Sequence, residues 1–265
     1  MTTENEIKEL FKVGAHFAFS KSRRHPSAKP FIFGAKNEIE IFDLEKTAVC
    51  LAKAKEFAKK IASEGGLILF VGSKSESQEI IKREASKIDM PYVAGRWIGG
   101  TLTNFPEIRK RVEKMENLIS QREKGELAKY TKKERLLIDR EIEKLEKMFL
   151  GIVLLKSLPQ AIFVVDSKKE AVTINEAKHR GIKVLSLSGS DCDLNLVDFP
   201  IPANDTSVSS IEFFVKQITE SFMEGKKSRP ETPKPLVPKT NVTPRSNVAE
   251  VKPKREVGTS KRVAK

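Results

Sequence analysis

The sequence is poor in the residues that most often carry site chemistry. Only two cysteines occur in 265 residues, Cys50 and Cys192, far apart. They cannot form a disulfide framework or a cysteine-based metal site, and they fit a reducing compartment. The three histidines, His16, His25 and His179, lie in unrelated stretches. There is no H-x-x-x-H spacing and no nucleophile elbow. No segment approaches the ~18 consecutive apolar residues of a membrane span, and the start, MTTENEIKELFKVG, lacks the basic and apolar regions of a signal peptide. The expected location is cytoplasmic. Glycine-rich phosphate loops are missing too, since no G-x-G-x-x-G follows a strand and VGSKSES lacks the P-loop spacing. Lys74 at a helix start is left as a possible anion contact. The reading is of a protein with no catalytic residue, no metal, no cofactor, no small-molecule substrate and no membrane partner.

Positive charge, by contrast, is abundant. The formal net charge is +13, with 39% hydrophobic residues, enough for a real core. Residues 226–265 hold twelve Lys or Arg against three Glu, six of the thirteen prolines and no aromatic residue. Such a segment cannot bury enough apolar surface to offset its ordering entropy, so it reads as a flexible, disordered basic tail. It either contacts nucleic acid or serves only as a solubilising extension. The rest of the chain is nearly balanced, with 37 basic and 33 acidic residues.

Along the body, strand-like and helix-like stretches alternate. Glu4–Val13 is a short amphipathic helix, and the basic, turn-rich SKSRRHPSAKPFIFGAK reads as a loop. IEIF (39–42) is a strand, and an aspartate caps the helix that follows it, which a Gly-Gly pair stops. The apolar runs LILFV and AIFVVD suit strands buried on both faces of a parallel sheet. Further helices, the strand IKVLSLS, the segment VDFPIPAND and a last amphipathic helix complete the pattern. The alternation predicts a doubly wound, mostly parallel α/β sheet. It is broken at 104–149. There Ile108, Val112, Met115 and Ile119, and again Ile138, Ile142, Leu145 and Phe149, follow the 4, 3, 4 spacing of a coiled-coil seam. A glycine and a Thr131–Glu134 capping box separate the two runs. An antiparallel helical hairpin is expected, the alternative being two helices lying on the sheet. The domain reading is therefore 1–103 with 150–225 as a discontinuous α/β domain, 104–149 as an inserted hairpin, and 226–265 as the tail.

Two loops concentrate functional residue types. Asp191, Asp193, Asp198 and Asp205 make an oxygen-rich region at strand ends, read as solvated turn aspartates with a hard cation as the alternative. RWIGGTLTNF (96–105) holds the single tryptophan. Its Gly99-Gly100 pair permits positive φ, and Thr103 or Asn104 can cap the next helix, with Pro106 in its first turn. Arg96 and Trp97 supply a cation and a stacking face of the kind RNA binding uses, yet Trp97 could equally be core.

RWIGGTLTNF resembles the signature of bacterial small-subunit ribosomal protein two, and the resemblance continues in KPFIFGAKNEIEIFDLEKT, LILFVGSK, TKKERLLIDREIEKLEK, LPQAIFVVD, EAKHRGIKV and VDFPIPAND, in the family's order from about Ile7 to Met223. The resemblance implies a flavodoxin-like domain with a protruding coiled-coil hairpin. It also implies a non-enzymatic role in translation: binding small-subunit rRNA of the 16S type between head and body, among neighbouring small-subunit proteins, and helping to hold the mRNA-binding ribosomal protein one. His16-Phe17-Ala18-Phe19 replaces the usual His-Phe-Gly-His, RRHPS replaces an aromatic-rich stretch, Gln160 stands where aspartate is common, and SGSDCD departs from an Asp-Thr-Asn run. The expected phosphate contacts are Lys21, Arg23, Arg24, Lys29, Lys36, Arg96, Arg109 and Lys110, with Trp97, Gly99, Gly100 and Asn104 shaping the loop. Two rival readings are a nucleotide-binding enzyme using Lys74 or the aspartate loop, and a protein-only adaptor acting through the hairpin.

Overall fold

A computed structural model describes residues 3–228, which fall within one compact unit. The basic tail lies outside the described residues except for Lys226, Lys227 and Ser228. The first two extend the last helix past the expected boundary at 225, and Ser228 is its C-cap.

The main sheet has five parallel strands, β4 (Ile68–Gly72), β5 (Tyr92–Ala94), β6 (Ala161–Val165), β7 (Lys183–Ser188) and β8 (Phe199–Pro202), in the spatial order β5-β4-β6-β7-β8. The chain winds outward from β4 to one side, then returns to β6 and continues to the other. The order is that of flavodoxin, and its reversal point lies between β4 and β6. Helices cover both faces, as an all-parallel sheet requires. On one face, α2 (Leu44–Ser63), α3 (Ser75–Lys87) and α7 (Val208–Lys227) pack over Ile68, Phe70, Phe163, Leu185 and Ile201. The opposite face carries Leu69, Val71, Ile162 and Val164 against α6 (Ala171–His179) and the paired helices α4 (Phe105–Glu123) and α5 (Lys132–Phe149). Alternate residues of one apolar strand thus feed two cores.

Within 104–149, both helices contribute to the core on the sheet. Ile108, Val112, Met115, Leu145 and Phe149 are buried and belong to the core on the sheet. The seam continues outward through buried Ile142 to Ile119 and Ile138, which are half-buried, and a Lys114–Glu141 ion pair ties the helices. The inner ends therefore lie on the sheet, with Leu118 and Ile119, both half-buried, packed against the same core. The capping box forms: Glu134 N–H donates to the Thr131 hydroxyl at 3.4 Å and Thr131 N–H to the Glu134 carboxylate at 2.9 Å. Asp43 caps α2 as expected, accepting from Glu45 N–H at 3.1 Å. Asn104 occupies the cap position of α4, but its side chain makes no capping bond.

IEIF is a strand outside the parallel sheet. As β3 (Ile39–Phe42) it pairs antiparallel with β1 (Phe17–Ser20) and β2 (Ile32–Lys36) in a second, three-stranded sheet after α1 (Thr3–Lys12). The segment read as a basic loop therefore contains the last residue of β1, Ser20, and all of β2.

Candidate nucleic-acid interface

The RWIGGTLTNF loop leaves β5 and is organised by one residue on α6. Glu176, 7% exposed, accepts five hydrogen bonds. Oε1 takes Trp97 Nε1–H at 3.1 Å and Gly100 N–H at 2.8 Å, and Oε2 takes Leu102 N–H at 3.0 Å and both the N–H and hydroxyl of Thr103 at 3.2 Å. Burial alone would raise its pKa, but these donors outweigh it and hold the carboxyl below the usual range. Gly100, at φ 93°, presents its N–H to this carboxylate from a backbone conformation that L side chains rarely adopt. Gly99 does not use positive φ. One turn along α6, Arg180 donates to the carbonyls of Leu102 and Thr103. Trp97 packs partly against the core, and Arg96 is exposed with no side-chain partner among the described residues. Glu176 was not singled out from the sequence. A glycine loop crowded with N–H donors was the available sign that an acceptor had to face it.

The mouth of the sheet, where doubly wound folds hold ligands, is filled by an internal ion cluster. Lys74 Nζ donates to Asp166 Oδ2 at 2.8 Å, Asp205 Oδ2 at 2.9 Å and the Asp205 carbonyl at 3.1 Å, which uses all three of its protons. Burial works against the ammonium, but Asp205 and Asp166 hold its pKa above the ordinary value. Asp205 is so deeply enclosed that burial pushes it up to about 6 despite Lys74. For Asp166 burial is outweighed by Lys74 and the backbone N–H groups after it, and its pKa falls. Cys192, the third potential ligand of the group, is buried and its thiol is pushed up to about 12, so it is neutral. A lysine thus occupies the place a metal or phosphate would need, and Lys74 is not free to meet an anion.

The remaining aspartates are also engaged. Asp191 receives Arg23 at 3.4 Å and Lys168 at 3.0 Å, Asp198 receives Lys183 at 2.7 Å, and Asp193 accepts from Asn195 N–H while His25 lies 3.8 Å away. His25 N–H bonds the Ser190 carbonyl and the Ser27 hydroxyl receives Leu194 N–H, clamping the basic segment onto this loop. His16 is a packing residue. It is stacked at 4.3 Å on Phe11 and 4.1 Å from Phe17, and burial lowers its pKa.

The expected phosphate contacts divide into two groups. Lys21, Lys29, Lys36 and Arg96 are exposed and have no side-chain partner among the described residues, and Arg23, stacked on Phe19 at 4.1 Å, shares one carboxylate with Lys168. Lys110 is exposed but pairs with Glu107 at 2.7 Å. Arg24 points inward to Glu40 at 2.6 Å, and Glu40 is 2% exposed. Arg109 lies against the Val153 carbonyl and Glu116. These last two hold the fold together. Lys168 and Lys169, exposed in the turn before α6, are additional basic residues here.

Comparison with known proteins identifies the family. The family model for ribosomal protein S2 matches residues 10–225. The chain belongs to the ribosomal protein S2 family. Membership makes it a structural ribosomal protein, of the small subunit by the family's designation, and not an enzyme. The small ribosomal subunit protein uS2 of Coprothermobacter proteolyticus is 43% identical over 223 residues, covering 84% of this chain and 83% of that one. The uS2 of Roseiflexus castenholzii is also 43% identical, over 84% of this chain and 85% of its own, and that of Helicobacter hepaticus is 40% identical over 83% of each. Within the family frame, Gln160 has a structural role, accepting Leu67 N–H at 2.6 Å. Among the described residues no helix is long and apolar enough to cross a membrane.

Proposed function

We propose that the protein is a structural, RNA-binding constituent of the small ribosomal subunit in the cytoplasm, contacting 16S-type rRNA between head and body and helping to hold ribosomal protein one. The observation that carries this reading is colinear identity of about 40% with proteins named small ribosomal subunit protein uS2 over more than four-fifths of the chain. The phosphate contacts are Lys21, Arg23, Lys29, Lys36, Arg96 and Lys110, joined by Lys168. Of these, Lys21, Lys29, Lys36 and Arg96 gain most from a phosphate, because they give up no ion-pair partner to meet it. Residues 104–149 serve as a coiled-coil hairpin reaching beyond the sheet. Contact with neighbouring proteins is supported by an open groove of about 820 Å³ beside the small sheet, whose walls include Phe11, Phe17 and Phe33, the last 81% exposed.

Sedimentation of tagged protein from lysate, with and without ribonuclease and across a salt series, tests the proposal. Co-migration with small subunits that ribonuclease abolishes is expected. Migration as a free protein throughout would overturn it, and co-migration that survives ribonuclease would favour a protein-only adaptor.

A further inference from the structure

A cleft of about 650 Å³ opens at the carboxyl ends of β4, β5 and β6, beside the reversal point of the sheet. The ion cluster around Lys74 fills the neighbouring crevice but leaves this cleft open. Ser73 and Gln78 line it from one side, Arg96 and Trp97 from the second, and Lys169 and Glu170 from the third. Arg96 has no side-chain partner among the described residues, and the Lys169 ammonium has only the Ser73 carbonyl at 3.5 Å. Glu170 is the sole acidic residue of the lining, yet both its oxygens are taken, by Ser73 N–H at 3.0 Å and the Thr173 hydroxyl at 3.1 Å. Gln78 donates its amide N–H to the Ser73 carbonyl at 3.1 Å, which leaves its side-chain oxygen to accept. The Trp97 ring cannot rotate freely, because Glu176 holds its Nε1–H. Two uncommitted cations, a fixed indole and an open amide acceptor in one cleft match the parts of a nucleotide: phosphate, base face and base edge.

We infer that this cleft receives a single unstacked nucleotide of RNA, with the base against Trp97, its edge at Gln78 and the phosphate between Arg96 and Lys169. The inference deepens the RNA-binding reading and rests on it. RNA is favoured over a free nucleotide because the crevice that would cradle a di- or triphosphate is closed by Lys74, Asp166 and Asp205. It also gives the loop a use beyond turning the chain, since Glu176 places the ring without covering the cleft.

Trp97 is the only tryptophan, so its fluorescence reports on this cleft directly. The full-length protein is titrated with a fluorescein-labelled single-stranded RNA oligonucleotide and with a fully paired RNA, following label anisotropy and Trp97 emission in parallel, and unlabelled AMP and GMP are titrated separately by Trp97 emission. Saturable quenching by the single strand is expected, with none by the duplex. Arg96→Ser with Lys169→Ser should weaken the quenching reaction about tenfold or more, and lower its salt slope by about 1.4. RNA binding by anisotropy with unchanged Trp97 emission, or quenching unaffected by the double substitution, would overturn the cleft while leaving the RNA-binding reading standing. No binding of any RNA would overturn both. Quenching by AMP or GMP as strong as by the oligonucleotide would replace the RNA reading of the cleft with a free-nucleotide site.

Discussion

At the residue scale, two buried carboxylates organise surfaces that the sequence presents as loops. Glu176 gathers a backbone turn, an indole and a hydroxyl on two oxygens, so replacing it leaves buried donors unsatisfied rather than merely removing a charge. Glu176→Gln places an amide N–H among those donors and should cost about 2–3 kcal/mol at pH 7, read from urea midpoints. Because the folded pKa is held below the unfolded one, the stabilisation is fully present above the unfolded value. It is lost as pH falls through the folded pKa, so the gap between wild type and variant should narrow in that acid range. Glu40 plays the parallel role for the basic segment. Arg24→Ala strands a carboxylate that is 2% exposed, one oxygen of which already has no partner, and should destabilise by about 3–5 kcal/mol. Arg23→Ala, at an exposed pair, should change stability by under about 1 kcal/mol while weakening RNA binding. Equal midpoint shifts for the two variants would refute this division. Composition shows that both are arginines. Only the antiparallel pairing of the small sheet shows that one of them meets Glu40.

At the element scale, the helices and long strands were legible because each carries its own period. The parallel order follows from alternation, α2 announces its cap at Asp43, and α5 announces its capping box. What escaped was short. β5 has three residues, β1 has four, and β2 lies in a stretch rich in Gly, Pro and Lys; none of these is long enough to show a period against its neighbours. For the paired helices, one apolar stripe fits both a sheet face and a partner helix, and in the structure its inner residues join the core on the sheet while Ile138 lies outside that core. That division predicts a gradient along the seam. Phe149→Ala, on the sheet, should cost about 3–5 kcal/mol, whereas Ile138→Ala, in the outer half, should cost about 1 kcal/mol and act locally. Denaturant unfolding gives the totals and amide exchange along α5 gives the locality. A uniform loss at both positions would mean that the helix pair unfolds with the sheet as one unit over its whole length.

At the scale of the whole molecule, charge and fold are separable. The match to the family ends at residue 225, the described residues end at Ser228, and residues 229–265 carry ten basic and three acidic residues. Removing them lowers the formal charge from +13 to +6 without touching a residue of either core. Truncation after Ser228 should therefore leave the urea midpoint unchanged. If the segment adds phosphate contacts, the slope of log K for RNA against log salt must become shallower by about 0.7 for each contact with a single strand, or about 0.9 with a duplex. A body that binds through Lys21, Arg23, Lys29, Lys36, Lys110, Lys168 and the cleft at Arg96 and Lys169 would keep the remaining slope. Substituting those residues in the truncated protein should then reduce what is left. An unchanged slope after truncation would assign all phosphate contact to the folded body, and the ten basic residues from 229 onward would act on solubility alone.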